Sequence, residues 1–222
     1  MGGRTRTERR ADALSKERIV EAAIEILDQQ GESALTFRAL SARLQTGSGA
    51  IYWHVANKDE LLAAAAEHII SAVTTAATDG DDPADAIRAV ALGVFDAIDA
   101  HPWVGTQLTL EPWQSAFMQI FEGVGGRLDA LAIPADEQFD SASALVNYIL
   151  GLAGQYAAGA RAIPHGTDRA TFLASIAERW AALDPEKYPF MHRVAAGLPE
   201  HDDREQFRAG IDLILAGIES RR

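Results

Sequence analysis

The chain has 222 residues, 48% of them hydrophobic, and no cysteine. That length supports one large or two small domains with a real hydrophobic core, while the missing cysteine excludes disulfides, thiolate metal sites and a cysteine nucleophile. The net charge of −12 is uneven: residues 1–60 carry nine basic and nine acidic side chains, so the whole excess lies in the remainder, with 11 basic against 23 acidic.

A polyanion responds to local positive charge, so this balance does not exclude a nucleic-acid-binding N-terminal part. No apolar run approaches the roughly 20 residues of a membrane span. The polar, basic N-terminus lacks the apolar stretch of a secretory signal. A cytoplasmic protein is expected.

Residues 1–14 lack apolar periodicity and read as a flexible basic arm. Arg4, Arg6, Arg9 and Arg10 face one acidic residue, Glu8, in the first ten positions. The arm is either a solubilising tail or a phosphate contact. Ser15 is a candidate N-cap for a first helix whose apolar face is Ile19, Ala23, Ile26 and Leu27. Gly31 is expected to stop it in a left-handed conformation. Thr36 caps a short second helix, Phe37 to Leu44, with Phe37, Leu40 and Leu44 inward. Gln45-Thr46-Gly47 is a turn, and a third short helix follows from about Ser48 to His54. Asn57-Lys58-Asp59-Glu60 reads as a capping box opening a long fourth helix to about Thr78. Two short helices joined by a tight turn and braced by a first helix form a helix-turn-helix.

Beyond Gly80-Asp81-Asp82-Pro83, helices are expected at about 84–100 (ended by His101-Pro102), 103–108, 112–131, 136–163 (stopped by Pro164-His165-Gly166), 168–183 and 204–220. Residues 184–203 read as a loop. Nothing reads as a strand, so the expected fold class is all-α. It divides into a helix-turn-helix domain over 15–62 and a larger helical domain over 63–222.

The run Gly49-Ala50-Ile51-Tyr52-Trp53-His54-Val55-Ala56-Asn57-Lys58-Asp59-Glu60-Leu61-Leu62 resembles the TetR/AcrR family of bacterial regulators. So do Ile19-Val20-Glu21-Ala22-Ala23, Gly31 and Leu35-Thr36-Phe37-Arg38-Ala39-Leu40. Tyr52-Trp53-His54-Val55 followed by Asn57-Lys58 is most similar to the tetracycline-repressor branch. Phe207, Gly210 to Leu215 and Gly217-Ile218-Glu219 resemble that branch's last helix. The resemblance implies an Ω-shaped homodimer, each third helix entering a major groove of a palindromic operator.

It also implies DNA-contacting roles for Thr36, Arg38, Ser48, Gly49, Ala50, Tyr52, His54 and Lys58. Arg38 matches a base-reading arginine, suited to guanine O6/N7, the competing role being a phosphate-bound or solvated side chain. Tyr52 and His54 match phosphate or base contacts, the competing role being packing inside the small domain. Lys58 matches a backbone-contacting lysine. Trp53 is expected to pack at the domain junction. Gln45 replaces the family's usual glycine, Thr46 a usual Val or Ile, and Ala50 a frequent Thr, so the operator should differ from those of better-known relatives.

Small residues on the helix over 136–163 allow close helix approach. With the last helix they give the expected dimer face: Gly151, Gly154, Ala158, Phe207, Ile211, Ile214, Leu215 and Ile218. A mostly apolar pocket with a few polar groups is what a small-molecule effector needs. The candidates are His101, Trp103, Gln107, Trp113, Phe117, Phe121, Asn147, Tyr148 and Gln155. No cofactor and no metal are expected: the six histidines do not pair at ligand spacing. Thr74 stands where the drug-binding branch has a histidine, and His101 does not align with the branch's metal-ligating one, so a magnesium–tetracycline site is not expected.

The reading is a ligand-responsive repressor released from its operator by an effector, with an activator of the same fold as the alternative. An enzyme is disfavoured by the absence of HExxH, phosphate-loop and nucleophile-elbow motifs. A sequence-independent architectural protein is disfavoured by the balanced charge of residues 1–60.

Overall fold

The computed structural model describes residues 14–76, 82–110, 114–162 and 167–220, with the backbone alone at 153, 156, 157 and 160–162. Residues 1–13 of the expected arm, Trp113 and the expected stop at 164–166 lie outside the described residues. Among those described there is no strand.

Ser15 opens α1 (Lys16–Gln30), its Oγ accepting the Arg18 N–H at 3.3 Å. One face of α1 buries Ile19, Val20, Ala22, Ala23, Ile26 and Leu27. Gly31 ends it at φ 77°, ψ 173°. That positive φ suits glycine, but the extended ψ differs from the expected left-handed stop. The Gly31 N–H closes on the Leu27 carbonyl at 3.0 Å, and the chain passes into a 3-10 turn, Glu32–Ala34.

Thr36 Oγ1 accepts the Ala39 N–H at 3.1 Å and starts α2 (Phe37–Leu44). The left-handed residue of the following turn is Gln45 (φ 52°, ψ 43°), while Gly47 has ordinary extended geometry and caps α3 (Ser48–Tyr52). α3 stops two residues before the expected end. Leu40, Ile51 and Val55, all at most 1% exposed, fix the α2–α3 angle by filling the space against α1.

Asn57 Oδ1 accepts the Glu60 N–H at 2.8 Å, and the Glu60 carboxylate reaches back to the Ala56 N–H at 2.8 Å. This reciprocal cap opens α4 (Lys58–Ala76). α4 runs as one helix across the expected 62/63 boundary, so the two halves share a rigid element and one continuous hydrophobic core.

α5 (Pro83–Ala100) begins under an Asp82 cap with Pro83 at its first position, where the missing N–H costs nothing. It packs against α4, α6 (Pro102–Leu110), α7 (Ser115–Gly125), α8 (Ala135–Ala162) and α11 (Asp203–Glu219). The α4 crossing is close: a Cβ on Gly93 would lie 2.5 Å from Val73 Cγ1. Arg88 ties α5 to α11 through Asp212 at 2.7 Å, with Asp85 alongside. The hydrogen bond to Asp212, reinforced by Asp85, holds the Arg88 guanidinium above its ordinary pKa. A second tie is bidentate, from Arg204 Nε and Nη2 to Asp96 at 2.8 and 3.0 Å.

Two expectations need correction. The helix expected over 112–131 is α7, which ends at Gly125 before a chain of turns to Ile133 with Ala132 at φ 58°. The adjacent Gly125 and Gly126 make continuation unfavourable by about 1 kcal/mol each. The expected loop over 184–203 contains α10 (Pro189–Ala195) and a 3-10 turn, Leu198–Glu200. Pro189 and Pro199 sit in the first positions of these elements, where proline is tolerated. Both pack on α9 (Arg169–Ala181).

Candidate nucleic-acid interface and cavities

α2 and α3 place the helix-turn-helix side chains as follows. Thr36, Arg38, Ser48 and Gly49 are exposed, and Ala50 is half-buried. Among the described residues Arg38 makes no hydrogen bond or ion pair, whereas Arg43 is held by Glu25. Tyr52 stacks one ring face on Phe37, with centroids 4.3 Å apart and planes 4° apart, yet stays 54% exposed. It therefore combines packing with a free phenolic edge. His54 is half-buried near the start of α1. There the backbone N–H and the Ser15 hydroxyl, with a smaller contribution from His54, hold the Glu17 carboxyl below its usual range. Lys58 Nζ donates to the Glu32 carbonyl at 2.8 Å and pairs with its carboxylate at 3.4 Å.

Trp53 does not pack at the domain junction. It is 90% exposed, because it follows Ile51 by two residues and so points away from the face that Ile51 and Val55 bury. The indole is thus exposed, like the side chains of Arg38 and Tyr52 on the same helix-turn-helix unit.

The described residues among those expected in an effector pocket are spread over separate contacts. Trp103 is 7% exposed, and its Nε1–H donates to Asp28 Oδ1 of α1 at 2.8 Å. His101 Nδ1 lies 2.8 Å from the same oxygen. Gln107 is buried on α6. Phe117 stacks on Phe121, and Phe121 meets Phe139 at a 51° tilt, each pair 5.9 Å apart. Tyr148 stacks on Phe207 at 5.6 Å and donates to its carbonyl at 3.3 Å, filling the place a Cβ on Gly210 would occupy. Asn147 and Gln155 are exposed. Gln155 alone borders a 340 Å³ cavity with Asp99, Pro102, Arg169, Phe172 and Asp203.

A concavity of about 860 Å³ lies between α4, α5 and α7 and is lined by none of those candidates. Ser71, Thr74, Thr75, Met118, Gln119, Glu122 and Arg127 border it. At its edge the Ser115 hydroxyl donates to Glu67 Oε1 at 2.5 Å. The available sequence signal was the spacing of Ser71, Thr74 and Thr75. These are hydroxyls at i, i+3 and i+4 on one face of an otherwise apolar stretch.

The expected dimer face also divides. Phe207, Ile211, Leu215 and Ile218 are 1–6% exposed within a single protomer: they fill its own core, and Ile214 is half-buried. Gly154 faces α6, its absent Cβ 3.6 Å from Thr109 Cγ2. Gly151 and Ala158 are exposed. On α11 the exposed apolar side chains are Ala209, Leu213 (75% exposed) and Ala216, with Arg204, Glu205, Gln206 and Arg208 also exposed. Among the described residues no group of His, Asp and Glu could hold a metal ion, and no helix is long and apolar enough to cross a membrane.

Comparison with known proteins agrees with this architecture. The profile of bacterial regulatory proteins of the tetR family matches residues 19–65, and that of the tetracyclin repressor-like C-terminal domain matches residues 76–222. The solved structure of the transcriptional regulator SCO7222, a TetR from Streptomyces coelicolor, is 50% identical. It covers 94% of this chain and 99% of its own, with a TM-score of 0.84. An HTH-type transcriptional regulator from Saccharopolyspora erythraea is 26% identical over 92% of this chain and 84% of its own. The class D tetracycline repressor of Escherichia coli is 26% identical over 93% and 89%. With both halves matched by the family's profiles, this chain belongs to the TetR family of transcriptional regulators and carries its DNA-binding helix-turn-helix.

Proposed function

We propose that the protein is a cytoplasmic repressor that binds a palindromic operator as a homodimer and leaves it when a small molecule binds the helical domain. The observation that carries this is that Arg38, Ser48, Tyr52 and Trp53 are all exposed on the α2–α3 unit, Arg38 without a polar partner among the described residues, while Leu40, Ile51 and Val55 anchor that unit in the core. In this reading Arg38 meets a base edge, worth about 1–3 kcal/mol of discrimination. Ser48, Gly49 and Ala50 lie at the groove floor. Thr36, Tyr52, His54 and Lys58 touch the backbone, Lys58 exchanging Glu32 for a phosphate. Two protomers meet through the outward faces of α8 and α11.

The effector would occupy the groove between α4, α5 and α7, whose 860 Å³ lies within the range of small-molecule sites. α4 forms one wall and continues into the helix-turn-helix, so a ligand that favours a shifted α4 also shifts the DNA-binding unit. It does so only by its differential affinity for the two states. Magnesium–tetracycline is not the ligand expected here: the Thr74 hydroxyl on the groove wall is turned back to the Ile70 and Ser71 carbonyls, and His101, outside the groove, is engaged by Asp28.

The test is selection of bound duplexes from a random DNA pool by the purified protein. A recovered palindrome is the expected result. Recovery of no motif at low salt would refute the repressor reading.

A further inference from the structure

We propose that Asp28 is a positioning residue for DNA binding, clamped by His101 and Trp103 so that the helix-turn-helix unit is held at one angle. The inference rests on the dimeric regulator reading above. One carboxylate oxygen, Asp28 Oδ1, receives the Trp103 indole N–H and lies against His101 Nδ1, each at 2.8 Å. An ionised carboxylate only accepts, so Nδ1 carries the hydrogen in this contact. Asp28 lies near the end of α1, whereas His101 and Trp103 flank Pro102 at the elbow between α5 and α6. The clamp is therefore a polar bridge between the two halves, separate from the α4 connection. Hydrogen bonds to a charged acceptor are roughly twice as strong as neutral ones, and here the indole that makes one is 93% buried, at 7% exposure.

The elbow is also placed to move. On one side Ala97, Ala100 and His101 border a 590 Å³ cleft between α4 and α5. On the other, Ile98, Asp99 and Pro102 border the 340 Å³ cavity roofed by α9. The elbow thus has open space on two sides, while Ile98, Trp103 and Val104 anchor it in the core. Movement of the elbow either keeps both donors on Asp28 or withdraws them. The angle of the α1–α3 unit, and with it the distance between two recognition helices, follows.

The test uses the full-length protein and the palindrome it selects, with central spacers shortened or lengthened by one base pair. Asp28→Ala removes the acceptor at a partly exposed helical position. Trp103→Phe keeps the buried ring and deletes the indole N–H. The wild type should lose more than about tenfold in affinity on a one-base-pair change of spacing, because half-site separation must match the protein's two-fold geometry. Both variants should lose less than about threefold, with single-half-site affinity unchanged. Unaltered spacing penalties in both variants would overturn the proposal. An equal loss on every DNA, accompanied by a lower melting temperature, would also overturn it by assigning Asp28 a purely structural role. A wild type that binds one half-site as well as the palindrome would instead refute the dimeric reading, and this inference with it.

Discussion

The apolar stripe of α11 separates two leucines with opposite consequences. Leu213 is 75% exposed and Leu215 1% exposed. Full burial of a leucine contributes about 1.5–3 kcal/mol. Three quarters of that, counted on both sides of a two-fold interface, amounts to about 2–4 kcal/mol. Leu213→Glu should therefore weaken self-association by roughly 30- to 1,000-fold, with added repulsion between the symmetry-related carboxylates. The protomer itself should keep its wild-type melting temperature. Leu215→Glu should do the reverse, since an unpaired carboxylate at this core position, 1% exposed, costs several kcal/mol of a total stability of about 5–15. Sedimentation velocity over a concentration series, with thermal unfolding on the same samples, separates the two effects. A Leu213→Glu protein that sediments as the wild type does would move the interface off this face of α11.

Four further outcomes are expected. Arg38→Ala should relax preference at one base position of the selected operator, read by competition with single-base variants; unchanged discrimination would remove Arg38 from base reading. Lys58→Ala should weaken binding to all sequences alike and reduce the slope of log K against log salt by about 1. Gln45→Gly should stabilise the protein by about 0.5–1 kcal/mol in urea unfolding. The left-handed geometry at Gln45 costs a side chain about 1–2 kcal/mol, only partly offset by the unfolded-state entropy of glycine. The Asp202 carboxyl, which caps α11, is held below its ordinary 3.8 by the Glu205 and Arg204 N–H groups, with Arg169 and His201 adding to this. Its folded pKa is depressed, so its contribution is present above pH 3.8 and lost as pH falls through the folded value. Hydrogen exchange at Glu205 should accelerate over that interval, and Asp202→Asn should abolish the pH dependence.

What could be read from the sequence was local chemistry. Ser15, Thr36 and Asn57 each stand where a helix needs an acceptor for its first N–H groups, and each caps one. Positions set by distant contacts were not legible in the same way. His101 and Trp103 have the side chains of a ligand pocket, but Asp28, 73 and 75 residues away, claims both. The groove between α4, α5 and α7 is lined largely by serine, threonine, glutamine and glycine, so a search by aromatic residues passes over it.

One rule of periodicity was available and decides two of the misplacements. Successive residues turn by about 100°, so a residue two positions from each of two core residues lies on the opposite face. Trp53 stands midway between Ile51 and Val55, and Leu213 midway between Ile211 and Leu215. All four flanking residues are at most 1% exposed, whereas Trp53 and Leu213 are 90% and 75% exposed. Singly exposed apolar residues are common on protein surfaces and carry no meaning alone. Trp53 caps the end of α3 and Leu213 lies on α11, the elements that the proposed function places against DNA and a second protomer. Apolar character set opposite a core face therefore marks Trp53 and Leu213 as the two positions at which the proposed DNA and dimer contacts can be tested.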